Sequence, residues 1–196
     1  MRERERMMTV SGVSPAAIAA AVGEARAYLR LEGEAEQALL ERLAASAIAL
    51  AEAFTGTLLV TRTVEDVLPA TTQGWQLLAA APVVAIGGMT GLPAEGAPFV
   101  LPPSVYAVDV DADARGWVRV IAAGAAGRVA VSYTAGLGAT WAALPPPLAQ
   151  GVAMLIAHLF NDRDAGRAPP AAVAALWRPY RRMRLMAEAH QWGRGQ

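Results

Sequence analysis

Leu144-Pro145-Pro146-Pro147 opens an apolar run that closes on Asn161-Asp162-Arg163-Asp164, and after a Pro169-Pro170 break a second run carries Trp177-Arg178-Pro179-Tyr180-Arg181-Arg182. The reading of this C-terminal stretch decides the fold. In the first run Leu148, Val152, Leu155 and Leu159 recur at helical spacing with Ile156 and Phe160 beside them, which predicts a helix buried over much of its circumference. It ends near Gly166. The second helix starts at Pro170 and sets Val173, Leu176, Trp177 and Tyr180 on one face. Pro179 must kink or restart it, because proline lacks an amide hydrogen and its ring collides with the preceding turn. A bend there leaves residues 181–192 projecting from the body. Two short amphipathic helices with an arginine and tryptophan tail make a docking device, and no reactive site is spelled out in them.

Working back toward the N-terminus, Ser14 and Pro15 begin another helix, with Ile18, Val22, Ala25 and Leu29 on one face and a break at Gly33. A second helix is predicted over about 34–54, with Leu39, Leu43, Ala47, Leu50 and Phe54 on its apolar face and Gly56 just past its end. From Thr57 the period changes. Val108 and Val110 alternate with Asp109 and Asp111, Val118 and Val120 flank Arg119, and Val129, Val131 and Tyr133 alternate with Ala130 and Ser132. These are half-buried antiparallel strands, and residues 57–67, 75–78 and 83–86 add more. Residues 87–103, rich in glycine and proline, are predicted to form a long exposed loop. The resulting fold class is α+β: a small helical bundle from the N- and C-terminal helices, with an inserted antiparallel β-sheet or β-sandwich. Its parts are a flexible N-terminus (1–13), a helical hairpin (14–56), the inserted β block (57–140), the closing helices (141–178) and a projecting C-terminal helix or tail (179–196).

The composition excludes several chemistries. A chain of 196 residues that is 55% hydrophobic can bury a core, yet its apolar runs are too short and too interrupted to span a membrane. All 17 basic residues are arginine, so a Walker lysine, a Schiff-base lysine and a lysine general base are absent by inventory. With Cys at 0 there is no thiolate nucleophile, no disulfide and no common zinc site. Only His158 and His190 carry imidazoles. The formal net charge of +0 provides no global field to gather nucleic acid. Its distribution is uneven, since residues 24–66 lean acidic and 178–196 are basic, so unlike faces of identical subunits could meet.

Apparent motifs fail on inspection. Asp109, Asp111 and Asp113 imitate the first ligands of a calcium loop, but Ala114 stands where glycine is needed and Val120 where a bidentate glutamate is needed. Gly87-Gly88-Met89-Thr90-Gly91 lacks the spacing and the lysine of a phosphate loop. His158 and Asp162 share a helical face, and two ligands without a third do not make a metal site. No Gly-x-Ser-x-Gly elbow is present. No catalytic residue, metal or cofactor is assigned.

The run Glu24-Ala25-Arg26-Ala27-Tyr28-Leu29-Arg30, then 36–43 and Ala53-Phe54-Thr55-Gly56, resembles the opening of the head-tail connector (adaptor) proteins of long-tailed bacteriophages. Pro147-Leu148-Ala149-Gln150, through Ala157-His158-Leu159-Phe160-Asn161-Asp162-Arg163, is similar to that family's closing helix. Residues 170–182 are similar to its final leucine, proline, tyrosine and arginine element, and Tyr133-Thr134-Ala135-Gly136 fits members with a β insertion. The resemblance covers about half the chain through both helical portions. It implies a homo-oligomeric ring, usually dodecameric, below the portal protein of a phage or gene transfer agent particle. Such a ring is assembled in the bacterial cytoplasm, meets a stopper or tail-completion protein at its other end, and passes DNA through a channel without sequence-specific binding.

The same resemblance implies portal docking through the C-terminal helix. Exposed arginine pairs contribute about 0–1 kcal/mol each, whereas burying a large apolar side chain contributes roughly 1.5–3 kcal/mol. Trp177, Tyr180, Leu185 and Trp192 are therefore expected to anchor the contact, and Arg181, Arg182 and Arg184 to orient it. Helical spacing alone does not separate core from interface for Trp177 and Tyr180. Two other classes stand beside the connector: an Arg-rich nucleic-acid-binding module, and an enzyme with a dispersed site in the β block.

Overall fold

The computed structural model describes residues 7–33, 36–162 and 168–182. Helix α1 spans Pro15–Leu29, capped by the Ser14 hydroxyl, which accepts from the Ala17 amide at 3.2 Å. It stops ahead of the expected break at Gly33 because Arg30 turns left-handed (φ 55°) and the chain folds back onto the Arg26 and Ala27 carbonyls. Helix α2 spans Gln37–Thr55 and ends where the Gly56 amide returns to the Glu52 carbonyl at 2.8 Å. Helix α3 spans Pro146–Asn161, and α4 spans Ala171–Trp177 and runs into a 3₁₀ turn at Arg178–Tyr180. Pro179 sits in that turn, at the bend its chemistry demands.

These helices share one apolar core, in which Leu40, Ile48, Leu148, Val152 and Ile156 are fully buried. The buried face of α2 is not the leucine stripe expected from the sequence. Leu40, Ala44, Ala47, Ile48 and Ala51 face inward, Leu39, Leu43 and Phe54 lie on the flank, and Leu50 is 51% exposed. The reason is steric. Helix α2 packs on both α1 and α3, and a face of alanines lets two neighbours approach where a face of leucines would hold them off.

The middle of the chain forms two antiparallel sheets. Strands β1 (Met7–Val10), β2 (Arg62–Pro69), β4 (Val83–Pro93), β5 (Phe99–Val100) and β8 (Ala126–Ala135) order as β1-β2-β8-β4-β5. Strands β3 (Gln76–Leu77), β6 (Tyr106–Val110) and β7 (Gly116–Val120) order as β3-β7-β6. The sheets bury one common core between them, to which β2 and β8 contribute Val64, Leu68, Val129, Val131 and Tyr133 and β7 contributes Val118 and Val120. Their alternate residues therefore point outward on opposite sides of the sandwich.

Two sequence expectations are corrected here. Residues 7–10, assigned to a flexible N-terminus, are an edge strand paired from Met7 opposite Val67 to Val10 opposite Val64. The block 57–140 is thus completed by a strand from before α1. Residues 87–103, expected as a loop, hold the second half of β4 and all of β5. Glycine serves close approach there: a Cβ at Gly91 would lie 2.7 Å from the Phe99 ring. Register shifts in β4 at Val83/Ala85 and Ile86/Gly88 take up the bends that the glycines suggested were a loop.

Candidate docking site

The last turn of α2 gathers contacts from three parts of the chain. Glu52 faces β2, and its carboxylate accepts a two-pronged pair from Arg62 at 2.8 and 2.6 Å and the Leu59 amide at 2.9 Å. The two side chains are only 12% and 11% exposed, so the pair ties the helical bundle to the β block away from bulk water. Phe54 presents its ring to Trp177, with centroids 5.9 Å apart, and the Arg181 guanidinium lies 5.8 Å from the same ring. The Thr55 carbonyl accepts the Arg182 amide at 2.8 Å. A helix end leaves its last carbonyls without partners, and here the returning C-terminal chain supplies one.

The sequence-predicted docking residues divide accordingly. Trp177 is 4% exposed and completes the helical core: its indole N–H donates to the Leu148 carbonyl at 3.3 Å, and the ring covers Gly151. Tyr180 is half-buried against that core, Arg181 is exposed and Arg182 is half-buried. Residues 181 and 182 therefore turn back onto α2 instead of projecting, because the 3₁₀ turn at Pro179 reverses the chain within reach of Thr55. Arg184, Leu185 and Trp192 lie outside the described residues. Beside the exit a groove of about 430 Å³ runs between bundle and β block, lined by Met8, Phe54, Leu58, Ala80, Arg181 and Arg182.

Two buried or turn carboxylates elsewhere, Asp66 and Asp111, are engaged in structure. Asp66 is fully buried in β2 and accepts from the Ala79 amide (2.6 Å) and the Tyr133 hydroxyl (3.2 Å), while the hydroxyl accepts from the Ala80 amide at 3.0 Å. This network pins the chain between β3 and β4 to the large sheet. In the turn between β6 and β7, Asp111 accepts from the Asp113 and Arg115 amides and from the Trp117 indole at 2.9 Å. The Trp117 indole bond and the Arg115 amide bond hold the Asp111 carboxyl below the usual carboxylate range. The aspartate-rich run that imitates a calcium loop is thus a hairpin turn organised on one carboxylate. Among the described residues no three or more His, Asp or Glu side chains gather in a way that could hold a metal ion. No described helix is long and apolar enough to cross a membrane.

The Glu52–Arg62 pair, the Asp66 network and the outer face of the small sheet escaped the sequence reading. Only Asp66 left a signal: it falls on the inward side of the Val64, Asp66, Leu68 alternation.

No family model matches the chain, and no curated protein matches it. Solved structures do. A chain in the neck of an empty gene transfer agent particle, computed with C6 symmetry, is 31% identical, with a TM-score of 0.76 over 92% of this chain and 98% of its own. A chain in the virion of a native gene transfer agent particle is 30% identical, with a TM-score of 0.72 over 92% of this chain and 98% of that one. A chain in the neck of a native particle computed with C12 symmetry is 30% identical, with a TM-score of 0.70 over 91% and 98%.

Proposed function

This chain belongs to the head-tail connector (adaptor) family of long-tailed bacteriophages and gene transfer agents, and on that premise we propose that it is one subunit of a ring between the portal and the stopper or tail of such a particle. The observation that carries this reading is the similarity, across nearly the whole chain, to chains in gene transfer agent necks computed with C6 and C12 symmetry. A dodecameric ring enclosing a channel for DNA suits both symmetries. The net charge of +0 suits passage of DNA without sequence-specific capture.

Portal docking belongs to the C-terminal exit. Tyr180, Arg181 and Arg182 stand at the surface of the bundle where α2 ends, and Arg184, Leu185 and Trp192 come after them in sequence. Leu185 and Trp192 anchor and the arginines orient, on the energetic grounds that burial outweighs exposed ion pairs. Trp177 acts behind them, holding α4 and the turn against α3. Repetition around a ring lets modest contacts per subunit add to firm attachment.

The test is co-sedimentation with the portal ring of the same particle, comparing the full chain with one truncated after Arg182. That end point keeps the Arg182–Thr55 bond and removes only residues 183–196. Saturable binding by the full chain, lost on truncation, is the expected result. Equal binding by both would move docking off the tail, and binding by neither would defeat the assignment for that portal.

A further inference from the structure

Two faces of the β sandwich carry large apolar side chains open to solvent. On the small sheet, register sets Leu77 opposite Trp117, and the Arg119 guanidinium lies 5.2 Å from the Trp75 ring. Trp75 and Leu77 are 44% and 37% exposed. Asp109 of β6 stands opposite Trp117 on the same outer face. Tryptophan and arginine are the residue types that dominate binding energy at protein interfaces, and here they stand together on a solvent face.

On the large sheet one row crosses all five strands. Met7 stands opposite Val67, Val67 opposite Ala130, Ala130 opposite Thr90 and Thr90 opposite Val100. The row is open at its ends, with Met7 57% and Val100 80% exposed, while Val67 and Ala130 between them are only 7% exposed each. Glu65 and Arg128 flank the row on its two sides, two residues before Val67 and Ala130 on their strands.

These faces point away from one another because the shared core lies between the sheets. A closed ring of many subunits requires that disposition: each copy meets its neighbours through two unlike surfaces on nearly opposite sides. The charges also complement, Arg119 finding an acid in Glu65 and Asp109 a base in Arg128. We propose that neighbouring copies of this chain stack sandwich on sandwich, the Trp75, Leu77 and Trp117 face of one copy against the large-sheet face of the next, between its open Met7 and Val100 ends. This rests on the ring reading above and adds which surfaces close the ring.

A chain without cysteine allows a direct test. Ala107→Cys puts a thiol on the outer face of the small sheet, opposite Arg119, and Ser132→Cys puts one on the outer face of the large sheet, opposite Glu65. Rings formed on the portal from a mixture of the two single variants should give dimers with a short thiol cross-linker. Rings of the double variant should give a ladder rising to the closed ring. Self-cross-linking of either single variant, or no ladder from double-variant rings that do form, would overturn the proposal. Charge reversal gives an independent arm. Arg119→Glu and Glu65→Arg should each weaken ring closure ~10-fold or more, and together restore it; a double variant no better than the singles would count against the pairing. A wild-type chain that forms no ring with or without the portal would instead remove the ring reading itself.

Discussion

Gly151 and Trp177 show how a single residue choice shapes the bundle. Glycine in mid-helix costs about 1 kcal/mol against alanine, yet a Cβ at position 151 would collide with the indole nitrogen of Trp177. Gly151→Ala should therefore destabilise the chain by about 1–3 kcal/mol through overpacking, despite its better helix propensity. Urea unfolding reads this as a lower midpoint at unchanged slope; a raised midpoint would show that the indole can move aside. Tyr133→Phe removes the hydroxyl that bridges Ala80 and Asp66 and should cost ~1–3 kcal/mol, the penalty for leaving buried partners unmatched. Asp111 makes a prediction about pH. Its carboxyl is held below its usual value in the folded chain, so its contribution to stability is present above the unfolded pKa and fades as pH falls through the folded one. A carboxyl NMR titration should find Asp111 below the ordinary aspartate range, and Trp117→Phe should move it back up.

At the scale of elements, the end of α2 holds both the root of β2 and the exit of the C-terminal chain. Glu52→Ala strips the partner from Arg62, which is 12% exposed, and should cost about 3 kcal/mol, the lower end for a broken buried pair. Truncation after Trp177, unlike truncation after Arg182, also deletes the Arg182–Thr55 bond and the Arg181–Phe54 contact, so the shorter chain should melt several degrees lower by calorimetry. Much at this scale was legible in the sequence. The four helices, the strands around Val108, Val118 and Val131, and the bend at Pro179 followed from periodicity and from proline's missing donor. The buried face of α2 was legible only at Ala47, because hydrophobicity ranks leucine above alanine while close helix packing also favoured Ala44 and Ala51. The continuation of β4 was not legible, since its glycines read as a loop until the Phe99 ring supplied their reason.

For the whole molecule, the family was readable from the order and spacing of degenerate motifs at the two chain ends, whereas the surfaces were not. Exposure of Trp75 and Leu77 depends on which side of a two-residue strand faces the core, and no short-range pattern records that. The even charge balance carries a prediction of its own: the isolated chain should bind duplex DNA weakly, with a shallow dependence on salt. Tight binding that falls steeply with salt would favour the nucleic-acid-binding module. The passage between bundle and sandwich has a mechanical consequence. The chain crosses there three times, over 11–14, 56–61 and 136–145, and the last two crossings are bonded to each other: the Leu137 and Gly138 amides donate to the Leu58 and Leu59 carbonyls, and the Thr61 amide donates to the Gly138 carbonyl. With Glu52 and Arg62 bracing the same joint, the connection is a stiff beam and not a pair of tethers. A tilt imposed on the helices would therefore be carried to the far rim of the sandwich as a rotation about the end of α2.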